Sequence, residues 1–217
     1  MENIKIGVIG SGKLAQKLIE LKAISAVFSK RTDINAINNL DVFLNKIDVI
    51  IDCSAEGFDF RSKEINKPIV VATTQHITKL PEKVPVLMIP NSSSWQIIHQ
   101  TLTMFAKYNN YQFVIHDLHG KHKRDAPSGS ARKLISHLEK NNAKIQCFCT
   151  REFDIKGKYM ITVFNENEFI KIEHEISNRI VYAEGLIKAA HWIMTKPIKI
   201  YQSEDMLADL LNKKNTI

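Results

Sequence analysis

Ile4-Lys5-Ile6-Gly7-Val8-Ile9-Gly10-Ser11-Gly12-Lys13-Leu14-Ala15 is the stretch that decides the fold. A β-branched run enters a G-x-G-x-x-A turn, and Leu14, Ala15, Leu18, Ile19 and Leu21 then recur at helical spacing. Glycine lets a backbone turn tightly and approach a pyrophosphate, while the helix N-terminus faces the negative charge. Glycines after a strand often only make a turn. Their position between a strand and a helix favours a dinucleotide loop formed by Gly10, Ser11, Gly12, Lys13, Leu14 and Ala15.

Further strands extend the pattern. Ala23 to Phe28 closes on Ser29-Lys30-Arg31. Folds that select NAD usually place an acid there for the ribose hydroxyls. A hydroxyl and two cations suit a 2′-phosphate instead, so NADPH is the expected cofactor and NADH the alternative. Taken singly, Lys30 and Arg31 would be solvated loop charges. The runs 48–54, 68–74 and 84–88 are nearly continuous in β-branched residues, as strands covered on both faces are. Ligands bind beyond the carboxyl ends of such strands. That places Ala72, Thr73 and Thr74, with Ile89, Pro90, Asn91 and Ser92, where a nicotinamide and its ribose would lie. The plainer reading of each segment is turn chemistry.

The pattern changes near residue 92. A helix is expected over 94–109, with Trp95, Ile98, Leu102 and Phe105 as a core stripe. Tyr111 to Leu118 reads as a strand that delivers His119. Pro127 and Ser128-Gly129-Ser130 then open a helix over 128–140. Three β-rich stretches follow at 144–153, 157–164 and 168–176, which predicts an antiparallel or mixed sheet. A helix over 178–195, a short strand at 198–201 and a helix over 204–213 complete the chain. The class is α/β, with a Rossmann-type parallel sheet followed by an α+β unit built on a mixed sheet.

Composition bounds the function. The 217 residues are 44% apolar, enough for a sizeable core. No apolar run is long enough to span a bilayer, and the opening strand pattern lacks a basic segment and a cleavage site, so no signal peptide is expected. Cys53, Cys147 and Cys149 form no ligand or disulfide framework, so the expectation is a reducing cytoplasm and no metal. Net charge is +7, and part of the excess lies between residues 121 and 133. That favours small anions over nucleic acid.

The excess surrounds His119-Gly120-Lys121-His122-Lys123-Arg124-Asp125-Ala126-Pro127-Ser128-Gly129-Ser130-Ala131. A helix start offers backbone N–H groups to a carboxylate. Lys123 adds a full charge, and His119 adds a group whose ordinary pKa lies near neutrality. Alone, His119 would be a structural histidine and Lys123 a surface charge. Together they can hold an anion and move a proton onto it.

This stretch resembles the signature of the 4-hydroxy-tetrahydrodipicolinate reductase family, formerly called dihydrodipicolinate reductase, whose form is E-x-H-H-x-x-K-x-D-A-P-S-G-T. Asp48-Val49-Ile50-Ile51-Asp52, Val71-Ala72-Thr73-Thr74, Pro90-Asn91-Ser92-Ser93 and Ser177-Asn178-Arg179 resemble further motifs of the family. The resemblance implies NAD(P)H-dependent reduction of a cyclic imine dicarboxylate in diaminopimelate and lysine biosynthesis. It implies a nucleotide domain of 1–92 plus 185–217, and a substrate and tetramerisation domain of 93–184. His119 falls on the family's acid/base histidine and Lys123 on its proton-donating lysine. Ser128, Gly129 and Ser130 fall on its carboxylate-binding residues. The partners implied are the small dicarboxylate and three further copies of the chain, with no nucleic acid and no membrane.

Four departures stand out. Gly120 replaces the second histidine, Asp117 the leading glutamate and Ser130 the threonine. The chain is also shorter than typical members, with trimmed connections after the second strand and after Thr74, so fewer helices are expected on the nucleotide sheet. A dinucleotide-sensing DNA-binding regulator and a non-catalytic paralogue are the alternative functions.

Overall fold

Ile6, Val8 and Ile9 are buried within a parallel sheet, as a run rich in β-branched residues predicts. In this computed structural model the described residues are 4–30, 35–54, 58–60, 64–73, 80–108, 110–152 and 154–213. They fall into two units, Met1–Ser93 with Arg179–Ile217, and Ser94–Asn178.

The first unit holds six parallel strands, β1 (Ile6–Ile9), β2 (Ile24–Phe28), β3 (Val49–Asp52), β4 (Ile69–Val71), β5 (Val86–Met88) and β10 (Ile200–Gln202). Their order is β10-β5-β4-β3-β1-β2. The alternation of side chains along each strand divides the core in two. Ile6, Val8, Val49, Ile51, Val70 and Leu87 pack with residues of α1 (Lys13–Glu20), α5 (Ile180–Ile193) and α6 (Ser203–Lys213). Ile9, Ile50, Ile69, Val71 and Val86 pack on the other side with Phe43 of the short α2 (Leu40–Leu44), Ile47, Phe60 and Ile65. Fully burying one such side chain stabilises by about 1.5–3 kcal/mol. Between β3 and β5 the described residues contain no helix, in keeping with the trimmed connections. The chain leaves β1 for β2 on one side and returns to β3 on the other, which makes the carboxyl ends of β1 and β3 a switch point.

The second unit is a four-stranded sheet in the order β7-β6-β8-β9, from β6 (Gln112–Leu118), β7 (Lys144–Thr150), β8 (Lys158–Phe164) and β9 (Phe169–Glu175). β6 and β7 are parallel, while β8 is antiparallel to β6 and β9, so the sheet is mixed as expected. Helices α3 (Trp95–Lys107) and α4 (Gly129–Glu139) contribute Trp95, Leu102, Leu134 and Leu138 to its core, with Phe113, Ile115, Tyr159, Ile161 and Val163 from the strands. No helix among the described residues is long and apolar enough to cross a membrane.

Candidate active site

The nucleotide loop is shaped by two unlike glycines. Gly10 has a φ of +106°, and a Cβ there would stand 3.0 Å from the backbone of Cys53 and Ser54. The conformation and the close approach both require glycine. Its N–H donates to Phe28 O at 3.0 Å, and Cys53 N–H donates to Ile9 O at 2.9 Å, so β1 and its neighbours hold the turn. Gly12 is the N-cap of α1, without a side-chain cap, and a Cβ there would meet nothing within 4 Å. Open space beside an uncapped helix start fits a pyrophosphate.

The other described residues expected at the nucleotide lie on α1 and after the carboxyl ends of β2, β4 and β5. Lys13 is exposed on the first helical turn. Ala15 is fully buried and Leu14 packs against the core, so their side chains settle α1 on the sheet. Ser29 ends β2 with its hydroxyl donating to Ser11 Oγ at 3.1 Å, which ties that end to the glycine loop. Lys30 is exposed beside it. Ala72 and Thr73 follow β4, and Ala72 N–H donates to Asp52 O at 2.9 Å. Arg31 and Thr74 lie outside the described residues.

After β5, Ile89 is buried and Pro90 follows it. Asn91 Oδ1 accepts from Ser93 N–H and Ser93 Oγ. Ser92 Oγ donates to Tyr182 O at 2.7 Å, and a Cβ on Gly185 would collide with Ser92 O at 1.8 Å. Ser92 therefore fastens α5 to the end of β5. A single glycine inside an apolar helix was the available signal for this contact.

One acid that sequence reasoning passed over is Asp52, fully buried at the switch point. It accepts from Ser54 N–H at 2.9 Å and Phe58 N–H at 3.3 Å. Burial raises its carboxyl above the usual value against the opposing pull of these bonds. Burial, then the adjoining Asp52 charge, pushes the Cys53 thiol up to about 12, so it stays protonated.

In the second unit His119 leaves β6 with only 7% of its surface exposed. Its Nδ1 lies 2.8 Å from Asp117 Oδ1, at ion-pair distance. The second oxygen of Asp117 accepts from Ser128 N–H at 2.6 Å and Arg151 Nη2 at 2.8 Å. One fully buried carboxylate thus touches the histidine, the helix entry and an arginine. Burial alone would raise the Asp117 carboxyl. The contacts with His119, Ser128 N–H and Arg151 together hold it well below the usual carboxylate range.

Ser128 caps α4, accepting from Ala131 N–H at 3.3 Å, and shares a 2.9 Å hydrogen bond with Tyr159. Its hydroxyl is buried and committed to these partners. Gly129 and Ser130 follow Ser128 as the first turn of α4. Lys123 Nζ is 2.5 Å from Asp125 Oδ1, with Arg132 3.5 Å from the other oxygen. Arg151 reaches Asp125 O as well as Asp117, so Lys123 and His119 belong to one network. Gly120 donates to Ile155 O at 3.1 Å. His122 is exposed.

Asp117 and Arg151 were not expected as site residues. The signal for Asp117 was its register, since Phe113, Ile115 and Asp117 share the buried face of β6. An acid ending an apolar face demands partners. Nothing in the chain marks Arg151 as one of them, because its contacts span 26 and 34 residues.

A parallel sheet with a pyrophosphate-shaped loop, and a unit with a carboxylate-held histidine at a helix entry, define an oxidoreductase of Rossmann type. The family profile described as "Dihydrodipicolinate reductase, C-terminus" matches residues 95–207, just over half of the chain. A 4-hydroxy-tetrahydrodipicolinate reductase from Sulfurimonas denitrificans is 27% identical, over 94% of this chain and 99% of the relative. One from Campylobacter fetus is 29% identical with the same coverage. The solved dipicolinate-bound dihydrodipicolinate reductase from Paenisporosarcina shares the fold, with a TM-score of 0.69 at 14% identity over 92% of this chain and 97% of that one. The chain belongs to the dihydrodipicolinate reductase family.

Proposed function

We propose that this chain reduces 4-hydroxy-tetrahydrodipicolinate to tetrahydrodipicolinate with a nicotinamide dinucleotide, the activity named in its relatives. The observation that carries this reading is the single carboxylate of Asp117, which contacts both His119 and the entry of α4. It sets a proton-exchanging group beside an anion-binding turn, as reduction of a dicarboxylate requires. When bound, the dinucleotide supplies the hydride. The loop of Gly10, Ser11 and Gly12 would hold its pyrophosphate, and Ser29 with Lys30 a 2′-phosphate, so NADPH is the expected form.

The remaining steps belong to the protein. The first turn of α4 binds a substrate carboxylate, with Lys123 sharing its charge between that carboxylate and Asp125. His119 delivers the proton that completes the reduction. Lys123 adds electrostatic stabilisation and a second proton source. The free thiols of Cys53, Cys147 and Cys149 fit a reducing cytoplasm. A product destined for diaminopimelate and lysine is the pathway implied by the relatives' reaction.

A coupled assay tests the reading. The preceding synthase generates the substrate from pyruvate and aspartate semialdehyde, and NADPH loss is followed optically. Turnover is expected, with a kcat/KM ratio for NADPH over NADH above one. His119→Gln should lower kcat by about 10²–10⁴-fold with NADPH affinity retained. NADPH binding without turnover would instead identify a non-catalytic paralogue, and salt-sensitive DNA retardation a regulator.

We further propose that the outer face of the second unit's sheet joins copies of the chain into a tetramer. Phe148, Met160 and Phe169 are exposed on this face, and Phe148 stacks on His116. Apolar side chains gathered on one sheet face are what an interface between copies uses.

A further inference from the structure

Asp117 Oδ1 and His119 Nδ1 are both buried and lie at ion-pair distance, and neither makes a hydrogen bond of regular geometry among the described residues. Two such atoms 2.8 Å apart satisfy each other or stay unpaired, and an unpaired buried polar group costs about 1–3 kcal/mol. An ionised carboxylate only accepts hydrogen bonds, so the proton between them sits on Nδ1. Arg151 keeps that carboxylate in place. Its Nη1 donates to Asp117 O and Thr150 O, and its Nη2 to Asp117 Oδ2 and Asp125 O, at 2.7–2.8 Å. A planar guanidinium can serve four acceptors in fixed directions, which a lysine ammonium on a flexible stem cannot.

The other ring nitrogen meets a different neighbour. A Cβ at Gly157 would stand 2.9 Å from His119 Nε2 and 3.3 Å from Cδ2. Any side chain at 157 would press on Nε2. His119 N–H donates to Thr150 O at 3.0 Å and Gly120 N–H to Ile155 O at 3.1 Å, so the backbones of the two segments cannot simply part.

We propose that Asp117 and Arg151 are the positioning residues of this site, fixing His119 as its Nδ1–H tautomer so that Nε2, left uncovered by Gly157, is the atom that exchanges the proton. The same carboxylate anchors the entry of α4 through Ser128 N–H, so imidazole and anion-binding turn are set by one group. This rests on His119 being the acid–base group of the proposed reaction.

The test reads the tautomer directly and needs no turnover. Nitrogen-15 spectra of the labelled full-length chain give the ring shifts, with the His119 signals identified by their loss in His119→Gln. Neutral His119 should show a protonated Nδ1 and a bare Nε2. Asp117→Asn, whose amide can also donate, should shift the proton toward Nε2, and Asp117→Glu should restore it at least in part. In the coupled assay, Asp117→Asn should lower kcat by ~10²-fold or more with dinucleotide affinity unchanged. Gly157→Ala should lower kcat while keeping the tautomer. Arg151→Lys, which retains the charge, serves where Asp117→Asn does not fold, and should mix the two tautomers. A proton resident on Nε2 in the wild type, or a tautomer untouched by these changes, overturns the proposal even in an active enzyme. An Nδ1–H tautomer in a chain without turnover leaves the positioning intact and removes the reductase reading.

Discussion

Gly10 and Gly12 stand two positions apart and answer to different demands. Gly10 is fixed by its positive φ and by the backbone of Cys53 and Ser54. Gly10→Ala should cost about 1–3 kcal/mol in denaturant unfolding, whatever is bound. Gly12 faces open space, so Gly12→Ala should cost less than about 1 kcal/mol of stability, the scale of a lost N-cap preference. It should still weaken dinucleotide binding by about tenfold or more, a loss of about 1.4 kcal/mol, read by fluorescence titration. Two glycines with equal stability costs and equal binding would contradict this division.

Asp117 and Asp52 act in opposite directions on stability as pH changes. Asp117 titrates lower in the folded chain than in the unfolded one, so it binds fewer protons when folded. Its contribution is complete above about pH 5 and fades as pH falls through the folded value. Asp52 titrates higher when folded, so its contribution is largest in acid and fades as pH rises past about 4. Unfolding free energies between pH 6 and 3 should therefore show a shallower acid loss for Asp117→Asn than for the wild type, and a steeper one for Asp52→Asn. Parallel profiles would show that neither carboxyl is shifted on folding.

At the scale of elements, α4 shows how a sequence motif becomes a site. Pro127 and Ser128 were legible as a helix start, because a cap is a local contact. That the Ser128 hydroxyl turns inward to Tyr159 was not legible, because Tyr159 arrives from β8, 31 residues on. Ser128→Ala should cost about 1–2 kcal/mol of stability, since it removes both the cap and the hydrogen bond shared with Tyr159. It should raise KM for the dicarboxylate more than it lowers kcat. A variant with unchanged stability and KM would remove Ser128 from the anchoring of this turn. Helix α5 carries the same lesson. Its apolar stripe was readable, while the need for Gly185 follows only from the Ser92 backbone packed against it.

For the molecule as a whole, the open face of the second sheet is the feature with a consequence in solution. The chain has a mass of 24.8 kDa. Sedimentation equilibrium of the wild type at micromolar concentration should give four times that mass, and Met160→Glu with Phe169→Glu should give smaller species with intact secondary structure. A monomeric wild type would end the proposal that this face joins copies.

The sequence by itself determined the order of the elements other than α2, the covering of the parallel sheet on both faces, the glycine loop and the helix entry after Pro127. Those features depend on periodicity, turn chemistry and capping, which act over a few residues. Only the tertiary structure decided that Ser92 fastens a helix, and that Asp117 and Arg151 stand behind His119. Those outcomes depend on partners far along the chain. A buried charge or a close backbone approach has no local signature until folding brings its partner within contact distance.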